Sequence, residues 1–183
     1  MDRRSHIKKL MALGAASALP AALWAETERS EEAAVKSERA YGYKRSVSHW
    51  TVDDLDWDDL CGWLAQEGVE AVDLVGPENW HHLKKHGLDS SMCNGAELNL
   101  VDGFIHEEFE GVLHERYRAM IPRVAKAGYT NLICFSGNRR GLSEAQGLEQ
   151  AVKALQPMVA LAEEHGVVLQ MELFNSIVDH PDY

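Results

Sequence analysis

Glu172 stands inside the apolar run at 167–174, Val-Val-Leu-Gln-Met-Glu-Leu-Phe. A carboxylate buried in such a run is costly unless it is paired, protonated or bound to a cation. At the end of a strand it is suited to hold a hard divalent metal or to move a proton. The plainer reading is a salt bridge to a neighbouring strand. Asn175 follows shortly after. Ser136, Gly137, Asn138 and Arg139 follow a second apolar run at 131–135. This polar, partly cationic stretch could hold a substrate carboxylate, hydroxyl or phosphate; the plainer reading is a solvated loop, which is how Arg140 reads. His49, Asp73 and Asn94 lie where other apolar runs end. A lone histidine such as His49 is more often a packed core residue than a catalyst, and Asp73 would cap or pair locally. His81, His82 and His86 fall together on a helix, away from the strand ends, and read as surface.

The elements that must position these groups repeat one unit from Tyr41 onward. A helix ends at a glycine and a short apolar strand follows, at 65–75, 84–93, 125–137 and 162–174. Gly68, Gly87, Gly128 and Gly166 sit where a helix terminus needs positive φ. In 143–165, Leu148, Val152, Leu155, Val159 and Ala162 recur at spacings of four and three, which predicts one buried face. Ser143 and Gln146 form a capping box at its start. In 112–127, Leu113, Tyr117, Met120, Ile121 and Val124 do the same, and Pro122 predicts a kink or a later start. Leu60, Trp63 and Leu64 mark the buried face of a shorter helix.

The runs at 69–75, 131–135 and 167–174 are continuously apolar, as a parallel sheet covered by helices requires. A first strand near 44–50 brings the count to five strands and four helices. Strict alternation means an α/β fold, doubly wound or a closed barrel, and both bind ligands at the C-terminal ends of the strands. No glycine-rich phosphate-binding motif follows the first strand, which argues against the nucleotide-binding open sheets.

The 183 residues carry 18 basic and 29 acidic side chains, a formal charge of −11. That acidity repels phosphate backbones, so no nucleic-acid partner is expected. Cys61, Cys93 and Cys134 are widely spaced with no Cys-x-x-Cys pair, so neither a structural zinc site nor a disulfide framework is expected. Cys134 reads as a small core residue, and one disulfide remains open. Residues 1–25 place Arg3, Arg4, Lys8 and Lys9 before an apolar, Ala-rich run that ends on Ala25. That order is a secretory signal, and the paired arginines resemble the twin-arginine export address, with His6 where that signal usually has Phe. The run is too short for a permanent span, so export to the periplasm without a stable membrane anchor is expected. Residues 26–40 are polar and charged and read as a solvated linker.

At 133–141 and 169–183, and again at 44–50, 69–88 and 113–138, the chain resembles the hydroxypyruvate isomerase-like branch of the xylose isomerase-like barrel superfamily. The resemblance runs over 41–183. It implies a (β/α)8 barrel of the TIM type. It also implies an aldose–ketose interconversion of a small sugar or hydroxy acid through an enediol, helped by a divalent metal (Mg, Mn, Co or Zn) and two glutamates. Glu172 would be the first of those glutamates and a metal ligand. His114 would be the histidine that opens the third helix and faces the pocket. Asn138 and Arg139 would belong to the loop after the fourth strand. His49, Ser136 and Asn175 complete the candidate substrate-binding set by their strand-end positions.

The second glutamate and the other metal ligands would lie on strands six to eight. A full barrel needs about 250 residues. The expectation is therefore the N-terminal part of a barrel, either a truncated product or one of two copies that associate. The alternative is a non-catalytic periplasmic barrel that binds a carbohydrate or a partner. A metal-dependent DNA-repair nuclease shares the barrel but fits the acidity and the export signal poorly.

Overall fold

Short strands alternate with helices along residues 43–182, the part of the chain that a computed structural model describes; β3 is not the apolar strand expected after Gly87 but reads Asp-Ser-Ser-Met-Cys. The expected signal segment 1–25 and the expected linker 26–40 lie outside the described residues. The order is β1 (Ser46–Ser48), one 3-10 turn (His49–Thr51), α1 (Trp57–Gln66), β2 (Ala71–Val75), α2 (Trp80–Lys85), β3 (Asp89–Cys93), α3 (Glu107–Ala127), β4 (Asn131–Cys134), α4 (Glu144–Glu164) and β5 (Val168–Met171). The strands form one sheet in the order β1-β2-β3-β4-β5, and every neighbouring pair is parallel. This is the expected α/β repeat, with five strands and four α-helices among the described residues.

The glycine junctions explain how each helix stops. Gly128 caps α3 with φ 88°, a left-handed conformation, and its N–H donates to carbonyls of the last turn. Gly68, Gly87 and Gly166 have φ of 70°, 70° and 66° after the other three helices. The starts are equally local. Asp56 accepts from the backbone N–H groups of Asp58 and Asp59, and Ser143 and Gln146 close the predicted capping box on α4.

The core lies between the helices and one face of the sheet. Val72, Val75, Leu132 and Cys134 meet Leu60, Leu64, Leu83, Ile121 and Met158 there, all almost fully buried. Each such aliphatic side chain stabilises the fold by about 1.5–3 kcal/mol relative to exposure. Tyr117 is buried with them, and its hydroxyl donates to the Ile133 carbonyl at 2.8 Å.

Three helix expectations need correction. α3 starts at Glu107, earlier than 112, and runs through Pro122 without ending. Acidic Glu107, Glu108 and Glu110 favour its N-terminus, and buried residues on both sides of Pro122 hold the helix in place. On α1 the buried face is Leu60, Cys61 and Leu64, while Trp63 is 39% exposed. On α4 the buried residues are Gly147, Ala154, Met158 and Ala162. Leu148, Val152 and Val159 are 67%, 57% and 40% exposed. Of the expected stripe, Ala162 is buried and Leu155 packs against the core, while Leu148, Val152 and Val159 face water among the described residues.

The other face of the sheet is polar toward its N-terminal end. Asp73 accepts from the Ser46 hydroxyl at 3.1 Å and the Ser48 hydroxyl at 3.3 Å. The Ser91 hydroxyl also donates to it. The pairing of β2 with β3 slips on both sides of Asp73, and Leu74 has φ 61°. A left-handed leucine within a strand is a bulge held at a cost of about 1 kcal/mol or more.

Candidate functional site

Ligands of parallel α/β sheets meet the C-terminal strand ends, and there the residues after each strand converge. Leu74, Asn94, Glu97, Ile133 and Phe135 line a cleft of about 280 Å³. A larger opening of about 700 Å³ lies at the opposite, N-terminal ends, among Lys44, Glu70, Asp89 and Thr130.

Glu172 follows directly on β5, and its N–H donates to the Cys134 carbonyl at 3.1 Å, so the β4–β5 ladder continues through it. Side chains alternate along a strand, and neighbours in a parallel pair share a face. Ile133 pairs with Gln170, and Ile133 and Phe135 line the C-terminal cleft. Glu172 therefore lies on the same face as that cleft. The expectation of a buried carboxylate is corrected, because Glu172 is exposed. No ion pair involves it among the described residues. The face it occupies is open, because β5 has a strand neighbour on one side only among the described residues.

The loop after β4 is built rather than loose. Phe104 and Ile105 donate backbone N–H groups to the carbonyls of Phe135 (3.2 Å) and Ser136 (3.0 Å), and Asn138 donates to Val101 (3.0 Å). Gly103 and Gly137 make this approach possible. A Cβ on Gly103 would lie 2.4 Å from the Gly137 nitrogen and the Phe135 oxygen. Gly137 also has φ 91°. Ser136 and Asn138 are half-buried in this loop, and Arg139 is exposed with its backbone N–H on the Asp182 carbonyl. Arg140, expected as solvated, pairs with Asp102 and lies 5.6 Å over the Phe109 ring.

The histidine expected before α3 is not His114. His114 lies well inside α3, and its Nε2 is 2.7 Å from the Ala154 carbonyl oxygen of α4. It joins two helices and does not open α3, so its assignment to the pocket is corrected. His106 is the residue that precedes α3. It is buried, with Nε2 2.7 Å from the Asn138 carbonyl oxygen, and so fixes the loop after β4. Its place directly before the acidic Glu107 and Glu108 was the available sequence signal.

His49 sits in the 3-10 turn after β1 and stacks on Trp57, with ring centroids 4.0 Å apart and planes 8° from parallel. Burial holds its imidazole below the ordinary value, against the pull of Asp53. Asn175 is exposed and organises its own turn, accepting from the N–H groups of Ile177 and Val178. The cluster expected as plain surface is a clamp. His82 Nδ1 and His86 Nε2 lie 3.2 and 3.1 Å from one oxygen of Asp58, and Lys85 donates to the other. Trp57 also stacks with His82, with ring centroids 6.2 Å apart.

The three cysteines are free and buried. Among the described residues no group of three or more His, Cys, Asp or Glu is arranged to hold a metal ion. Glu172 alone does not make a metal site, so the described residues do not fit the expected cation by themselves. No described helix is long and apolar enough to cross a membrane.

No family model matches the chain, and no curated protein does. Solved structures do share its fold. An AP endonuclease, family 2, from Brucella melitensis is similar with a TM-score of 0.61 and 16% identity, over 73% of this chain and 57% of that one. A D-psicose 3-epimerase solved in the presence of D-fructose is similar with a TM-score of 0.54 and 12% identity, over 75% and 55%. The IOLI protein with a bound zinc atom is similar with a TM-score of 0.56 and 10% identity, over 70% and 51%. The chain spans little more than half the length of these structures. At such identities the likeness establishes the fold, and it spans a nuclease as well as an epimerase.

Proposed function

We propose that the chain is the N-terminal part of a sugar or hydroxy-acid isomerase or epimerase. The observation that carries this reading is Glu172, an acidic group at the C-terminal end of a parallel strand on the face of the cleft. The likeness in fold to a D-psicose 3-epimerase and a 3-keto-D-glucoside 4-epimerase supports it.

In this reading the Glu172 carboxylate takes a proton from the carbon beside a substrate carbonyl. The electron pair of that C–H bond becomes the C=C bond of an enediol, and the carbonyl oxygen takes a proton from water. Glu172 then returns its proton to the former carbonyl carbon while the other hydroxyl gives its proton to water and becomes the new C=O, which completes an aldose–ketose exchange. Asn138 and Arg139 would hold substrate hydroxyls or a carboxylate, with His49 across the mouth. The bound zinc of the IOLI protein supports a divalent cation in the complete site. The described residues offer it Glu172 and Glu97 but no cluster able to hold it, and no step is assigned to it.

The test is proton exchange. The purified chain is incubated with fructose or hydroxypyruvate in deuterium oxide, with and without Mg, Mn, Co or Zn, and followed by proton NMR. Exchange beside the carbonyl is expected, and Glu172→Gln should slow it at least about a hundredfold. Equal exchange in the variant, or none in the parent chain, would sink the assignment.

Among the described residues no group of acidic and histidine side chains is arranged to hold a metal ion, which favours a second reading, an exported barrel that binds a carbohydrate without turnover. Calorimetric binding of a sugar without any exchange would select it. Export rests on the order of Arg3, Arg4, the apolar run and Ala25. Substituting both arginines by lysine should keep the protein in the cytoplasm if the twin-arginine route is used.

A further inference from the structure

The cleft at the C-terminal strand ends is walled by β2, β4 and the loop after β3, inside the sheet rather than at its outer strands. Its walls begin with the slip in β2. Val72 and Val75 both sit in the core, although regular alternation sends residues three apart to opposite faces. The bulge resolves this by turning Asp73 and Leu74 both away from the core. Asp73 meets the Ser46 and Ser48 hydroxyls, and Leu74, at φ 61°, lines the cleft. With Ile133 and Phe135 it makes an apolar wall, as a small-molecule pocket needs around a few placed polar groups.

The polar groups come from the loop after β3. Glu97 is half-buried, and its Oε2 accepts the Gly95 N–H at 2.8 Å. Its Oε1 has no hydrogen-bond partner among the described residues, and neither has the half-buried Asn94 side chain. Asn99 is engaged with Val101 and Asp102. No Lys, Arg or His lines the cleft. Arg140 is held by Asp102. Arg116 reaches the same turn as Glu97, but its Nη2 donates to the Gly95 carbonyl at 3.5 Å and not to the carboxylate. Among the described residues the cleft therefore offers a carboxylate and an amide, and no cation to hold an anion.

We infer that this cleft selects an uncharged hydroxy-ketone or hydroxy-aldehyde sugar over a hydroxy acid or a phosphorylated sugar, and that Glu97 decides the choice. Oε1 accepts a substrate hydroxyl in a charge-assisted hydrogen bond. The same charge repels a carboxylate or phosphate brought to the apolar wall. The register that pairs Cys134 with Met171 sets Glu172 level with Phe135, so a sugar held by Glu97 lies on the face from which Glu172 acts. The substrate class rests on the isomerase reading above, while the selection by charge does not need turnover.

Dihydroxyacetone and hydroxypyruvate form a matched pair, with a hydroxymethyl group in one where the other has a carboxylate. Each is titrated into the purified chain and followed by ligand-observed proton NMR. Dihydroxyacetone should bind about tenfold or more tightly than hydroxypyruvate, and high salt should narrow the difference. Glu97→Gln, with circular dichroism unchanged, should weaken dihydroxyacetone about threefold or more and strengthen hydroxypyruvate about tenfold. A glutamate that only shapes its own turn would move both ligands in the same direction. Equal binding, a preference for hydroxypyruvate, no binding of either, or shifts of one sign in the variant overturns the proposal. The preference without proton exchange in the parent chain would defeat the Glu172 reading and leave Glu97 standing. Exchange of both compounds with no preference between them would do the reverse.

Discussion

At the scale of single residues, the loop after β4 depends on what Gly103 lacks. A methyl group there would meet the backbone of Phe135, Ser136 and Gly137 at 2.4 Å, and backbone atoms cannot rotate away as a side-chain tip can. Gly103→Ala should therefore destabilise the protein by about 3 kcal/mol, seen as a lower urea midpoint. Gly111 is the counterpart. It lies exposed within α3 with nothing within 4 Å of an added Cβ, so Gly111→Ala should stabilise by about 0.5–1 kcal/mol through helix propensity. Similar changes in the two variants would contradict the close approach. Nothing near Gly103 in the sequence announces this, because its contact lies across to the loop after β4. The misplacement of His114 has the same cause. A histidine inside a helical period reads alike whether it meets a pocket or a neighbouring helix, and the Ala154 carbonyl that decides the matter is 40 positions away.

At the scale of elements, the helix–glycine–strand unit was legible because its signals are local. A glycine after a helix and a capping box before one need no tertiary partner to be understood. The face of α4 was not legible. The stripe from Leu148 to Val159 has helical period, but period says only that these residues share a side, not that a neighbour covers it. The α1–α2 clamp was equally hidden, since Asp58 and its partners are 24 to 28 positions apart. Hydrogen bonds from Lys85, His82 and His86 hold the Asp58 carboxyl well below the usual carboxylate range, burial acting weakly against them. A depressed folded value means stability that is present above the unfolded value of 3.8 and lost as pH falls through the folded one. The advantage of the parent chain over Asp58→Asn should thus be full at neutral pH and shrink below about pH 4. Urea midpoints of the two proteins measured from neutral to acid pH test this. Parallel curves would mean that the three contacts contribute nothing to folding.

At the scale of the whole molecule, the buried cysteines report whether the half-turn of β/α units opens as one body. Cys61 lies on α1, Cys93 on β3 and Cys134 on β4, so together they sample both layers. Burial pushes their thiols up to about 11, about 11 and about 12, from an ordinary value of 9.0. The sign follows directly: between the ordinary and the raised values the unfolded chain has released protons that the folded one keeps, so stability is complete below about pH 9 and falls as pH rises further. Burial likewise pushes the Tyr129 hydroxyl up to about 12, and it acts in the same direction. The urea midpoint should therefore decline above about pH 9. Below that pH a thiol reagent should find none of the three in the folded protein, since the thiolate is the reactive form. All three should then label at one common rate that tracks global unfolding. The sheet makes this a demanding expectation, because among the described residues β1 and β5 each have one strand neighbour and offer places for local opening. If Cys134, next to the edge strand β5, labels ahead of Cys61, then β4 and β5 open before α1 does, and the described units do not fold as one body.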